Sequence, residues 1–124
     1  MAHDSLTLLN LIAQTIFDKK GINILALDIR KISTICDYVI IAEGNVDRHV
    51  IAIAKTVIEE MEKVGEKVVS VEGQRDGDWV VIDFYQIIVH LFMPGVRGKY
   101  QLEELWRKGE IVDLNIVLTP KSSN

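Results

Sequence analysis

The chain has 124 residues, of which 48% are hydrophobic and only two are prolines, so it can bury one sizeable core and is not a disordered protein. Its net charge of −4 argues against a protein that grips nucleic acid mainly through phosphates and favours a basic protein surface as partner. Its one cysteine, Cys36, excludes an intramolecular disulfide, so a reducing, cytoplasmic setting is expected.

The first predicted element is a helix close to the N-terminus. Its apolar residues follow helical spacing and are Leu6, Leu9, Ile12, Ala13, Ile16 and Phe17. Asp4 or Ser5 is the expected N-cap, and Lys19-Lys20-Gly21 supplies a cationic last turn and a C-terminal glycine. No basic region precedes an apolar block, which predicts no secretory signal. Because Asp83 and His90 interrupt the longest apolar run, no membrane-spanning segment is predicted.

Two strands are predicted after this helix, over Ile24–Asp28 and Asp37–Glu43. The second is a nearly continuous apolar run, which is typical of a strand buried on both faces at the centre of a sheet. Gly44-Asn45 breaks this run, so the strand is expected to end there.

A second helix is predicted next, with Asn45 or Asp47 as its N-cap and Gly65 at its end. Its apolar stripe consists of Val50, Ile51, Ala54, Val57, Ile58 and Met61. The next strand is predicted over Lys67–Val71. A strand, a helix and a strand joined by short loops predict parallel strands with a right-handed crossover.

The stretch from Gly77 to Trp106 is the most informative, and it opens with two strands that predict a hairpin. In the first strand, Val80, Ile82 and Phe84 alternate with Trp79, Val81 and Asp83; in the second, Ile87, Val89 and Leu91 alternate with Ile88, His90 and Phe92. A turn of two or four residues would match these parities across the ladder, whereas a turn of three or five would reverse the match. With matched parities, one face is wholly apolar and is expected to be core.

The other hairpin face predicts a partner-binding site, because it combines aromatic area with hydrogen-bonding groups. After the hairpin, Pro94-Gly95 is expected to open an exposed basic-aromatic loop, and exposed loops on a rigid scaffold commonly carry recognition. The predicted partner-binding residues are Trp79, Asp83, His90 and Phe92, with Arg97 and Tyr100 at the edge. The pattern leaves open whether Trp79 is a contact residue or part of the core. Trp106 is expected to pack a short helix down together with Leu102 and Leu105.

No catalytic, cofactor or metal site is predicted. Nucleotidyl transfer needs clustered carboxylates for divalent cations, but Gly44-Asn45-Val46-Asp47 has no second acid, and Asp76-Gly77-Asp78 reads as a turn. His49 and His90 have no partner at metal-ligand spacing, and His49 is expected to bond back to the loop before its helix. Cys36 is interpreted as an ordinary small apolar side chain.

Ordered motifs from Leu6 to Val112 resemble those of the ribosomal silencing factor family, also called Iojap or RsfS. In the informative stretch the matching residues are Trp79, His90, Phe92, Arg97, Tyr100, Leu102, Glu103, Leu105 and Trp106. Upstream they are Cys36-Asp37-Tyr38, Glu43-Gly44-Asn45, Arg48-His49-Val50 and Glu72-Gly73. The chain departs from the family pattern at Val46, where a small hydroxyl residue is usual, and at Tyr85-Gln86, which replaces a Gly-Asp turn.

The resemblance implies an α/β fold akin to that of nucleotidyltransferases, without the catalytic acids. We therefore expect a single domain over residues 1–118 with a mixed, mostly five-stranded sheet and helices packed on it, and a frayed tail over residues 119–124.

The resemblance further implies a translation repressor without enzymatic activity or cofactor. It would dock on the large ribosomal subunit through a basic ribosomal protein, the subunit's fourteenth, and block the small subunit sterically. A minor contact with ribosomal RNA and a homodimer of the free protein are left open, and no membrane partner is expected. Two other functions remain as alternatives: a divergent enzyme of the nucleotidyltransferase fold, and a structural homodimer that uses the aromatic hairpin face on itself.

Overall fold

In the computed structural model, which describes residues 4–101, 104 and 106–118, a six-stranded mixed sheet carries helices on its surface. The helices are α1 (Ser5–Asp18), α2 (Asp47–Lys63) and α3 (Val96–Tyr100). The strands are β1 (Ile22–Asp28), β2 (Tyr38–Glu43), β3 (Ser70–Glu72), β4 (Trp79–Asp83), β5 (Ile87–Phe92) and β6 (Glu110–Ile111). The predicted α/β class with a mixed sheet is confirmed, with one strand more than expected.

The strand order is β3-β4-β5-β2-β1-β6, in which β2 and β5 are parallel and the other neighbours are antiparallel. β2 lies between β1 and β5, and every residue from Tyr38 to Ala42 is buried, so the predicted central strand is confirmed. The additional strand, β6, pairs two residues with β1. Two residues are too few to show the alternation by which a strand is recognised in a sequence.

The predicted strand–helix–strand unit is present, but its second strand does not lie beside the first. β3 pairs with β4 at the edge of the sheet, and β4 and β5 separate it from β2. β3 still runs parallel to β2, because two antiparallel steps lead from β3 to β5 and β5 is parallel to β2. The strand is also shorter than predicted, since it begins at Ser70 and not at Lys67.

The predicted N-cap of α1 and the glycine after its end are confirmed, but the predicted cationic last turn is wrong, because the helix ends at Asp18, before Lys19 and Lys20. Asp4 is the N-cap, and its Oδ1 accepts the N–H of Thr7 at 3.0 Å. At the other end Lys20 has the left-handed backbone (φ +69°), and the N–H of Gly21 donates to the C=O of Ile16 at 2.8 Å. A Cβ on Gly21 would lie 2.3 Å from Ile16 Cγ2, so glycine is needed here for close approach.

The predicted N-caps of α2, Asn45 and Asp47, are wrong. The N-cap is Val46, which makes no capping side-chain hydrogen bond. The ring of His49 instead fixes the loop before the helix, because Nδ1 accepts the N–H of Asn45 at 2.8 Å and Nε2 lies 2.6 Å from the C=O of Lys19. Since Nδ1 accepts, Nε2 carries the proton and donates. His49 therefore bonds back to the preceding loop, as predicted, and also ties α2 to the end of α1.

The apolar residues form one cluster on each side of the sheet. The larger cluster packs α1 and α2 against the sheet and includes all six residues of the predicted core face of the hairpin: Val80, Ile82, Phe84, Ile87, Val89 and Leu91. The predicted core face of the hairpin is thereby confirmed. The smaller cluster, on the opposite side, consists of Leu27, Ile29, Cys36, Val39, Ile41 and Phe92. Within the described ranges, no helix is long and apolar enough to cross a membrane.

Candidate functional site

The candidate site is built on the β4–β5 hairpin, whose register matches the predicted parity. The turn has two residues, Tyr85 and Gln86, because the N–H of Phe84 donates to the C=O of Ile87 at 2.9 Å. Each residue of one strand therefore faces its predicted counterpart on the other. The face opposite the core consists of Trp79, Val81, Asp83, Ile88, His90 and Phe92 and is named the aromatic face.

The aromatic face is closed on one side and open on the other. Phe92 has no exposed surface, and His90 is only 7% exposed. Val96 and Trp106, from the chain that follows β5, pack against the smaller cluster, and the ring centroids of Trp106 and His90 are 5.6 Å apart. The half-buried residues of the face are Trp79, Val81, Asp83 and Ile88. Of the predicted contact residues, Phe92 therefore supports the surface from beneath, and the open part of the face lies along β4.

Trp79 is held on three sides and remains partly accessible. Its ring centroid lies 5.1 Å from that of Phe92, nearly stacked, and 4.6 Å from that of Tyr100. Its Nε1–H donates to Nδ1 of His90 at 3.1 Å. Tyr100 is 49% exposed, so the Trp79–Tyr100 pair presents rigid aromatic area at the surface. Trp79 thus belongs both to the packing of the smaller cluster and to the open surface.

His90 is the polar centre of this aromatic group. Burial lowers the pKa of its imidazole to about 4, so the ring is neutral at pH 7. An indole N–H can only donate, so Nδ1 of His90 must be the unprotonated acceptor and Nε2 must carry the proton. His90 is therefore a fixed acceptor beneath Trp79 and is not free to transfer protons near neutral pH.

Two carboxylates flank the open part of the face. The β3–β4 register pairs Glu72 with Val81 and Ser70 with Asp83, so both acidic side chains project to the same side as Trp79. Oδ1 of Asp83 also accepts the N–H of Tyr85 at 2.7 Å, which fixes the hairpin turn. An apolar strip with acidic residues beside it is suited to a basic protein partner. The sequence did not predict Glu72 as a site residue, because only the pairing of β3 with β4 brings it to this face.

Arg97 does not lie in an exposed loop, and that prediction is wrong. It is in the first turn of α3, and its side chain is only 12% exposed. Its Nη1 atom lies 3.1 Å from Oε2 of Glu43 and donates to the C=O of Asn23 at 2.5 Å. Because these contacts tie α3 to the ends of β1 and β2, they help to place Tyr100 against Trp79. Leu102 and Leu105, predicted to pack with Trp106, lie outside the described residues.

The acidic residues and the cysteine that were weighed as chemical groups have structural surroundings. Among them, no group of three or more His, Cys, Asp or Glu side chains is arranged to hold a metal ion. Asp76 and Asp78 lie in the turn that precedes β4, with Gly77 between them in the left-handed region (φ +77°). Cys36 is buried, and burial, aided by Asp37 and Asp83, raises the pKa of its thiol to about 11. Its interpretation as a small apolar side chain is confirmed.

Residues 2–124 match the family described as "Ribosomal silencing factor during starvation". The chain belongs to this family. The family resemblance inferred from the motifs is therefore confirmed, and the match covers the aromatic face and the elements that position it.

Individual relatives agree with this assignment. The ribosomal silencing factor RsfS of Bacillus subtilis is 36% identical over 109 residues, which cover 88% of this chain and 92% of that protein. A crystal structure of a Chromobacterium violaceum protein superimposes with a TM-score of 0.83 at 29% identity and covers 94% of this chain and 97% of that one. A mouse protein named "Mitochondrial assembly of ribosomal large subunit protein 1" is 32% identical over 73 residues, 56% of this chain and 32% of its own length.

Proposed function

We propose that this protein binds the large ribosomal subunit and prevents the small subunit from joining it, which represses translation. Its family is one of ribosomal silencing factors, and the name of its mouse relative refers to assembly of the large subunit. The observation that carries the proposal is the aromatic face: a rigid, half-open aromatic and aliphatic surface beside acidic side chains. Such a surface is suited to docking, and the described residues include no group of three or more His, Cys, Asp or Glu side chains that could hold a metal ion.

The proposed contact surface is centred on the open part of the aromatic face. Trp79, Val81 and Ile88 would supply its apolar centre. Glu72, Asp83 and Tyr100 would form its edge, and His90, Phe92 and Arg97 would support it from behind. A specific interface takes roughly 800 Å² from each partner. That is about a tenth of the protein's 7546 Å² accessible surface.

The partner we propose is a basic ribosomal protein, the fourteenth of the large subunit, at the surface that faces the small subunit. An acidic chain that approaches a basic protein gains electrostatic assistance without phosphate contacts. Its affinity should then fall only modestly with salt, well short of the ~10³-fold loss expected when six or more phosphates are engaged. A steep salt dependence would make ribosomal RNA the main contact.

The proposed mechanism is steric and needs neither cofactor nor chemical step. The bound factor would occupy space that the small subunit needs. Free large subunits would be withdrawn from the joining equilibrium in proportion to the ratio of factor concentration to dissociation constant. The protein would accordingly act in the compartment that holds its ribosomes, the cytoplasm.

Sedimentation with separated ribosomal subunits tests this proposal. The tagged protein should comigrate with large subunits, and it should lower the yield of joined ribosomes when both subunits are present. Equal binding to the two subunits, or unimpaired joining at saturating protein, would contradict the proposal.

The two alternative functions have distinct signatures. Calorimetric titration with nucleoside triphosphates and magnesium should give no saturable heat, whereas a magnesium-dependent micromolar dissociation constant would favour an enzyme. A molecular mass that rises with concentration, without ribosome binding, would favour the structural homodimer.

A further inference from the structure

The hydrogen-bonding capacity of Trp79 is used inside the protein. An indole has one donor and no acceptor, and Nε1–H of Trp79 is directed to Nδ1 of His90 at 3.1 Å. Trp79 has therefore no hydrogen bond left to offer a docking partner. What remains accessible is its carbon surface, which borders the half-exposed ring of Tyr100 at a centroid distance of 4.6 Å.

The acceptor that receives this bond is immobilised. His90 lies on β5, an interior strand, where the register sets it beside Val81 on one side and Ile41 on the other. Its ring is also within 6.3 Å of Phe92 and 5.6 Å of Trp106, centroid to centroid. A buried ring enclosed on several sides has little freedom to turn, so the direction of its Nδ1 lone pair is fixed.

We propose that His90 is a positioning residue for docking: its Nδ1 fixes the orientation in which Trp79 presents an apolar surface to the ribosomal partner. This inference rests on the proposed function, because it takes Trp79 as a docking anchor. It adds that the partner contacts Trp79 with an aliphatic or aromatic side chain, and that recognition at this point depends on shape and not on a hydrogen bond. Polar recognition would then fall to the rim, where Glu72 and Asp83 lie.

Two substitutions of His90 by residues of nearly the same shape distinguish the effect of the hydrogen-bond acceptor from the effect of packing. In His90→Asn a side-chain oxygen can take the place of Nδ1, whereas His90→Leu puts a methyl group there. Both lose part of the ring, so both create a comparable cavity. We expect His90→Leu to bind large subunits about tenfold more weakly than His90→Asn, a typical effect of one buried hydrogen bond lost at an anchor. Equal affinities for the two variants would overturn the proposal.

The same pair of substitutions in a Trp79→Phe background supplies the control. Phenylalanine has no N–H, so an acceptor at position 90 has nothing to orient. The affinities of the two double variants should agree within about threefold. If the tenfold difference persists without the indole N–H, His90 acts through general packing and the proposal fails.

Failure of this inference can be told apart from failure of the proposed site. If Trp79→Ala leaves affinity for large subunits unchanged, Trp79 is not an anchor, and both proposals fail. If Trp79→Ala weakens binding but His90→Leu and His90→Asn bind alike, only the positioning role is rejected.

A measurement on the unmodified free protein decides the case if His90→Leu does not fold. In nuclear magnetic resonance spectra, the Nε1–H of Trp79 should exchange slowly with water and show a coupling across the hydrogen bond to Nδ1 of His90. The His90 ring should carry its proton on Nε2. Fast exchange of the Trp79 proton, or a proton on Nδ1 of His90 at pH 7, would overturn the proposal.

Discussion

The two faces of the sheet are closed in different ways, and the difference separates residues that hold the fold from residues that are available for recognition. On the core face, α1 and α2 cover a wholly apolar surface, and the hairpin residues there are fully buried or nearly so. On the aromatic face, α3 and Trp106 cover β5 and β2 but leave the β4 side half open. Apolar and aromatic residues occupy both faces, so their presence alone does not mark a core.

The helices that close the two faces differ in length. Two long helices can cover a whole sheet face, whereas α3 has only five residues. The short helix is held by the partly buried Arg97–Glu43 ion pair and brings Tyr100 against Trp79. The comparison predicts that substitutions on the core face mainly lower stability, and that those on the open part of the aromatic face mainly lower binding.

The largest expected effect is on the core face. Leu91→Ala should lower the free energy of unfolding by about 3–4 kcal/mol, because the side chain is fully buried in the larger cluster. Val81→Ala, on the open part of the aromatic face, should cost less than about 1 kcal/mol, since Val81 is only half-buried. Urea unfolding of both variants measures the difference. Equal losses would mean that the two faces do not differ as described.

Acid should destabilise the protein through His90. The folded-state pKa of His90, about 4, lies below the usual value of 6.5. Between these two pH values the imidazole therefore binds a proton in the unfolded chain but not in the folded protein. Stability is therefore complete above pH 6.5 and falls as the pH drops to 4, by at most about 3 kcal/mol. Unfolding curves across this range should show the loss, and His90→Asn should reduce its slope. An unchanged slope in the variant would assign the acid sensitivity to other groups.

The ion pair beneath α3 should matter more than the exposed pair between Arg30 and Asp28. Glu43→Gln leaves the Arg97 guanidinium, only 12% exposed, without its carboxylate, and should cost about 2 kcal/mol of unfolding free energy. Asp28→Asn, whose partner Arg30 is 58% exposed, should give a much smaller change. Thermal unfolding of both variants tests this. A smaller effect for Glu43→Gln would mean that α3 is held mainly by apolar packing.

The smallest expected effect lies at the hairpin turn. Tyr85 has φ +79° and is 74% exposed, so it adopts a backbone conformation unfavourable for a side chain and gains little from burial. Tyr85→Gly should stabilise the protein by about 1 kcal/mol or less, because relief of this strain is partly offset by the greater entropy of glycine in the unfolded chain. Chemical denaturation checks the sign. A clear loss of stability would show that the Tyr85 ring makes contacts that stabilise the fold.

Local sequence patterns were sufficient to predict much of the fold. Alternation along Trp79–Phe92 predicted both hairpin faces for a turn of two or four residues, and the apolar run before Gly44 predicted the central strand. Capping chemistry predicted Asp4 or Ser5 as the N-cap of α1, of which Asp4 is the cap, and His49 was expected to bond to the loop before its helix.

Features that depend on distant pairing were missed. Alternation assigns a residue to a face but does not say what covers that face, so the burial of His90 beside Trp106 was unforeseen. Arg97 was expected in an exposed loop. Its burial was missed because its partner Glu43 is 54 positions away in the sequence, so no local pattern shows the contact. The edge position of β3, which brings Glu72 to the site, also depends on nonlocal strand pairing.

The most direct test of the account compares the affinity of two aromatic variants for isolated large ribosomal subunits. Trp79→Ala removes the proposed anchor and should weaken binding about thirtyfold, which corresponds to ~2 kcal/mol. Tyr85→Ala removes a more exposed aromatic ring at the opposite end of the hairpin and should bind like the unmodified protein. Both variants should first be shown to melt cooperatively. Undiminished binding by a folded Trp79→Ala variant, or an equal loss in both variants, would contradict docking through the aromatic face.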